Sequence, residues 1–187
     1  PRGRYVRRSR RRLAALALQR ARTPAQLRLV MERHAGTPQA REAARKLPGL
    51  LAQRALAGRS QQRCRRFLDR YPDHVQASAV RARLAALAYP ALPDRQVELE
   101  AFVARFGGTA PGKRAAARLE RLMTDEVQQT ASPRLLRQLE VRFPASSRLP
   151  ELRRRVGRAT RDRALARLDL ARLAPLVDRG GQRDARL

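Results

Sequence analysis

A short motif returns along this chain at a nearly constant interval, and that recurrence limits the possible folds more than any other feature. Val30-Met31-Glu32-Arg33-His34, Phe67-Leu68-Asp69-Arg70-Tyr71, Phe102-Val103-Ala104-Arg105-Phe106, Leu139-Glu140-Val141-Arg142-Phe143 and Leu176-Val177-Asp178-Arg179-Gly180 align, with arginines 37, 35, 37 and 37 residues apart. A breaker or small residue follows each motif: Ala35, Pro72, Gly107, Pro144 and Gly181. Self-similarity at such a period is the mark of stacked supersecondary units.

The register extends to both sides of the arginine. Three residues before it stand Val30, Phe67, Phe102, Leu139 and Leu176, and six before it Leu27, Cys64, Leu99, Leu136 and Leu173. That spacing defines one helical face. Ten residues after it stand Ala43, Val80, Ala115 and Leu152, fourteen after it Leu47, Leu84, Leu119 and Val156, and seventeen after it Leu50, Leu87, Leu122 and Ala159. These trace a second apolar stripe, hence a second amphipathic helix. Each unit is expected to be a short helix A of about ten residues ending at the arginine, a tight turn, and a longer helix B.

The capping residues agree with this division. Thr23-Pro24 and Ser132-Pro133 read as N-caps followed by proline at the first helical position, Ser60 takes the same slot, and Asp94 lies one residue off it. Composition points the same way: Ala, Leu and Arg favour helices, and aromatic residues make only 4%. The expectation is an all-α solenoid of helix-turn-helix repeats, period about 37, with units at about 23–59, 60–93, 94–131 and 132–168 and a partial one at 169–187. Residues 1–22 form an Arg-rich segment and the last helix of a preceding unit, with Val6 and Leu13 on its apolar face. The half-units at both ends, and a start at Pro1, suggest a trimmed piece of a longer chain.

Charge is the second strong feature. The chain carries 43 Lys+Arg against 16 Asp+Glu, a formal +27, and only Lys46 and Lys113 are lysines. A codon bias explains Arg over Lys, but not basic over acidic. Such an excess repels itself unless an anionic partner or counterions neutralise it. The candidates are an acidic protein or peptide-like segment, nucleic acid, and an anionic membrane surface. Arg2, Arg4, Arg7, Arg8, Arg10, Arg11 and Arg12 crowd the first twelve positions with no acid among them. They read either as a polyanion contact or as a solvated face. Arg33, Arg70, Arg105, Arg142 and Arg179 read either as a guanidinium ladder for phosphates or carboxylates, or as cations at helix C-termini.

Phe67-Leu68-Asp69-Arg70-Tyr71-Pro72, followed by Ala77 and Leu84, resembles the bacterial tetratricopeptide-like pattern F-L-x-x-Y-P-x-S-x-x-A of outer-membrane assembly lipoproteins and related scaffolds. The resemblance covers about 23–180 and fades to Phe106-Gly107 and Phe143-Pro144 in later units. It implies a divergent helical-hairpin repeat forming a right-handed superhelix that binds proteins or peptides.

No constellation for catalysis, metal or cofactor emerges. Gly107-Gly108-Thr109-Ala110-Pro111-Gly112-Lys113-Arg114 resembles a phosphate-binding loop, but Arg114 stands where a hydroxyl must hold magnesium, and no strand precedes it. Cys64 takes a slot otherwise held by leucine and reads as a buried apolar residue. His34 takes the slot of Tyr71, Phe106 and Phe143, and His74 falls in a turn with no second histidine at ligand spacing. One cysteine excludes an internal disulfide framework, and no apolar run reaches the roughly 20 residues of a membrane span. The expectation is a non-catalytic scaffold or adaptor docking on an acidic partner, with nucleic-acid backbone binding as the alternative and anionic membrane association as a weaker one. Bacterial cytoplasm and periplasm or envelope both stay open as compartments.

Overall fold

The computed structural model describes the backbone of residues 2–181 and the side chains of 8–167. Among the described residues the chain is all-helical: α1 Arg2–Arg20, α2 Pro24–Arg33, α3 Pro38–Ala57, α4 Gln61–Arg70, α5 Ala77–Ala88, α6 Gln96–Phe106, α7 Ala110–Thr130, α8 Pro133–Arg142 and α9 Leu149–Gly181. A 3-10 turn, Tyr89–Ala91, follows α5. The chain divides into two compact units, one of residues 1–92 with 102–113, the other of 93–101 with 114–187.

The short helices begin where polar side chains meet their unpaired amides. Thr23 Oγ1 accepts from the Gln26 amide at 3.2 Å while Gln26 Oε1 accepts from the Thr23 amide at 3.0 Å, a reciprocal capping box ahead of α2. Ser60 and Ser132 cap α4 and α8 in the simpler way, accepting from Arg63 and Leu135. Pro24, Pro38 and Pro133 occupy first helical positions, where a missing N–H costs nothing.

Burial follows the register of the sequence. Leu27, Val30, Cys64, Phe67, Leu99, Phe102, Leu136 and Leu139 are buried on the short helices. Ala43, Leu47, Val80, Leu84, Ala115, Leu119, Leu152 and Val156 are buried on the helices that follow. In the first unit α2 packs on α3, α4 on α5, α3 also meets α4 and α5, and α1 lies against α2 and α3. Its first core joins Leu27, Val30, Ala43 and Leu47, flanked by Ala17, Leu18, Ala21, Leu50 and Leu51. Phe102 continues the apolar interior between Phe106 at 4.8 Å and Tyr89 at 6.1 Å, centroid to centroid. In the second unit α8 packs on α9. Each fully buried leucine here contributes about 1.5–3 kcal/mol relative to an exposed one.

The turns between short and following helices share one hydrogen-bond pattern. The carbonyl after four of the recurring arginines accepts the amide three residues on: His34 from Thr37 (3.1 Å), Tyr71 from His74 (3.3 Å), Phe106 from Thr109 (2.8 Å) and Phe143 from Ser146 (3.0 Å). Thr37 and Thr109 add a hydroxyl bond of 2.7 Å to that same carbonyl and accept the amides of Ala40 and Gly112. His74 Nδ1 accepts the Gln76 amide at 3.2 Å, whereas Ser146 Oγ is buried without a hydrogen-bond partner among the described residues. Seven residues after the arginine a buried Ala40, Ala77, Gly112 or Leu149 lies in the first turn of the next helix. At Gly112 a Cβ would collide with the Phe106 carbonyl oxygen, so this turn closes only around glycine.

Three sequence expectations are corrected. Leu13 is 60% exposed, and α1 instead turns Ala14, Ala17 and Leu18 inward, with Ala21 just after its end beside them. Leu13 shares the slot of Leu50, which faces its own short helix, and no described element occupies that side of α1. Val6 lies outside the described side chains. Asp94 does not cap α6: that helix starts at Gln96 with Leu99 bonding Arg95, and the Asp94 carboxylate receives Arg118 Nε at 2.8 Å. Finally, α9 runs unbroken to Gly181 where a new unit was expected at 169. Neither proline nor glycine interrupts the chain between Gly157 and Pro175, and its Ala, Leu and Arg content favours continuing the helix.

Two comparisons test the packing. Gly112→Ala is expected to lower stability by about 2 kcal/mol or more through the clash with Phe106, whereas Gly49→Ala, which meets nothing within 4 Å inside α3, is expected to raise it by about 0.5–1 kcal/mol. Likewise Thr109→Ala should cost about 1 kcal/mol by removing a cap, and Ser146→Ala should stay within about 0.5 kcal/mol, both read from urea denaturation midpoints.

Candidate functional site

The recurring arginines end their helices. Arg33, Arg70 and Arg142 are the last residues of α2, α4 and α8, and Arg105 lies in the last turn of α6. There a cation meets unpaired carbonyls at the negative end of the helix, worth about 0.3–1 kcal/mol. All four are exposed. Arg70 and Arg105 lie over the rings that follow them, 5.9 Å from the Tyr71 centroid and 5.3 Å from that of Phe106. Arg142 pairs with Glu100 at 3.9 Å. Arg8, Arg10, Arg11 and Arg12 are exposed on α1, while the side chains of Arg2, Arg4, Arg7 and Arg179 lie outside the described residues.

In the first unit Arg70 belongs to a larger basic constellation. An open groove of about 880 Å³ runs between α2, the end of α3 and α4. Arg28, Arg54, Arg63, Arg66 and Arg70 surround it, with Asp69 as its one acidic side chain. Its apolar lining comes from Leu51, Ala55, Phe67 and Tyr71. Arg63, Arg66 and Arg70 follow at spacings of three and four residues, which places them on one face of α4. That spacing is present in the sequence, but neither Arg63 nor Arg66 recurs at its slot in the units of Arg33, Arg105 and Arg142, so the register does not mark them.

A second groove, of about 640 Å³, lies beside α1, α2 and α3 and is lined by Leu18, Arg22, Leu27 and Lys46 among others. The second unit has a groove of about 530 Å³ lined by Gln96, Glu100, Met123, Arg137, Gln138, Val141 and Arg142. Here the Glu100–Arg142 pair lies within the groove itself.

The charge is unevenly distributed. By sequence the first unit holds 24 basic and four acidic residues, the second 19 and 12. Ion pairing follows that difference. Lys46–Glu42 is in the first unit, whereas Arg95–Glu98, Arg118–Asp94, Arg142–Glu100, Arg148–Asp125 and Arg153–Glu140 are all in the second. Surface pairs of this kind contribute at most about 1 kcal/mol each to stability, but they do neutralise the field around them.

The other candidates fall into structural places. Gly107 and Gly108 lie in the turn after α6, and Thr109 caps α7, so the loop resembling a phosphate cradle is a helix–helix turn. Cys64 is fully buried, with its Sγ 3.5 Å from the Ala55 carbonyl oxygen. Burial pushes its thiol pKa up, against the opposing Arg83 charge and a backbone hydrogen bond. His34 ends α2 half-buried, and His74 meets the Phe67 ring edge-on at 5.5 Å. No group of His, Cys, Asp or Glu among the described residues could hold a metal ion, and no described helix is long and apolar enough to cross a membrane.

No protein-family model matches the chain, and no significant match appears among curated proteins or solved structures.

Cys64 provides a direct test of this site description. A thiol reagent at neutral pH is expected to label it at least about tenfold more slowly than in the urea-unfolded chain. Its folded pKa is raised, so the unfolded chain ionises first as pH climbs. This residue's contribution to stability is therefore complete below the ordinary thiol range and declines above it. Cys64→Ala should flatten that part of the stability–pH curve.

Proposed function

We propose that the chain is a non-catalytic helical-repeat scaffold, a right-handed solenoid of tetratricopeptide-like hairpins, whose basic surface docks an acidic protein partner within a larger assembly. The observation that carries this reading is the accumulation of unneutralised arginine in the first unit, beside a groove that also offers apolar surface. The repeated turn bonds and the burial register support the hairpin-repeat part of the reading. Stacked helical hairpins present extended binding surfaces of the kind such a partner needs.

A second reading, contact with a nucleic-acid backbone, draws on α9. Arg154, Arg158 and Arg161 form a stripe along that helix, and every residue from Thr160 to Arg167 is exposed. Phosphate contacts of this type are sequence-tolerant and strongly salt-dependent.

Affinity purification of the full chain, with and without nuclease, separates the two. An acidic protein should remain bound through nuclease treatment and be released as salt is raised from about 0.05 to about 0.5 M. Loss of all bound material on nuclease treatment would favour the nucleic-acid reading. Sedimentation with anionic liposomes in place of either ligand would instead favour membrane association.

A further inference from the structure

The grooves of the two units share a sequence register but differ in who supplies the negative charge. Leu51 and Met123 each stand eighteen residues after a recurring arginine, and Arg66 and Gln138 four before the next. Arg70 and Arg142 are those next arginines, and Arg28 and Glu100 each stand five before the preceding one. In the second unit Glu100 lies 3.9 Å from Arg142, so that groove carries a carboxylate for its own guanidinium. In the first unit the corresponding residue is Arg28. The groove there gathers five arginines around one aspartate, and none of the five lies within ion-pair distance of a carboxylate among the described residues.

Guanidinium groups crowded around a partly apolar groove repel one another until an anion enters. A carboxylate answers the fork of an arginine with two parallel hydrogen bonds. We propose that the groove between α2, α3 and α4 receives an acidic segment of a partner protein. Its carboxylates take the role that Glu100 has in the second unit, and an apolar side chain beside them lies on Leu51 and Tyr71. The assignment rests on the acidic-partner reading above and locates where that partner is held. A polynucleotide fits less well. Its phosphates call for a charged track along the strand and its bases for successive rings to stack on, whereas here the arginines surround a short groove in which Phe67 is buried and Tyr71 is the one accessible ring of the lining.

The test uses the full chain and fluorescence anisotropy with a short, end-blocked peptide of glutamates around a leucine–phenylalanine pair. A peptide of equal charge with glycines in place of that pair, and a single-stranded RNA of equal charge, serve as comparisons. Arg28→Glu and Arg66→Glu alter exposed groove residues, and Arg121→Glu makes the same charge change on an exposed position of α7. The expected result is that each groove variant weakens the peptide at least about tenfold, that Arg121→Glu changes it by less than about twofold, and that the glycine peptide binds more weakly than the parent. Equal weakening by all three variants would show that binding follows net charge; it would overturn the groove and leave the acidic-partner reading standing. Failure of the peptide to bind the unaltered chain would overturn both. RNA binding tighter than the peptide, and lost on Arg28→Glu, would give the groove to nucleic acid and overturn the proposal.

Discussion

The carbonyl that follows Arg33, Arg70, Arg105 and Arg142 accepts an amide from three residues further on, and the helices on either side depend on that bond. It stops a short helix and reverses the chain. It also fixes where the next helix starts relative to the last. In the first hairpin the fixed start brings the apolar positions ten and fourteen residues after the arginine to face those three and six before it. Leu27 and Val30 meet Ala43 and Leu47 for this reason. The small residue seven places after Arg33, Arg70 and Arg105 lets the returning helix approach closely, and at Gly112 even a methyl group is too large. Hydrophobic burial supplies most of the stabilisation, but the turn decides which residues are available to be buried.

That division explains which parts of the fold were legible in the sequence. The faces of the short helices could be read because leucine and aromatic residues return at fixed offsets, and the caps at Thr23, Ser60 and Ser132 could be read because hydroxyl residues precede helix formers. Thr37 and Thr109 were harder to see. Their slot is shared with His74 and Ser146, so no single residue type announces it, although all four make the same backbone bond. Leu13 misled because a register says which face a residue lies on, and not whether anything covers that face. Asp94 misled because an acid near a helix start can serve either the helix or a neighbouring guanidinium, and Arg118 decides the matter. The expected break near 169 had only the motif's return behind it, with no residue there to stop a helix.

The arginine-lined groove between α2, α3 and α4 illustrates a different limit. Periodicity draws attention to what is the same in every unit, and therefore to Arg33, Arg70, Arg105 and Arg142. The distinguishing chemistry sits where units differ, at Arg28 against Glu100 and Arg66 against Gln138. A residue count reports +27 for the whole chain, but not that five of the six described ion pairs lie in the less basic unit. Neutralisation is local, so the field at each surface is set by the arginines left over and not by the sum.

The turn bond also bears on how quickly the chain can acquire its shape. Its donor and acceptor are three residues apart, so closing it orders very little chain. The helix pair it joins spans only some thirty residues, as from Pro24 to Ala57. Structures dominated by such local contacts fold on microsecond to millisecond timescales, because little loop entropy is lost before contacts form. A hairpin of this kind can assemble as it leaves the ribosome, ahead of the residues that follow it. For a sequence this rich in like charge, early local closure shortens the time during which an extended polycation is exposed to the nucleic acid around it.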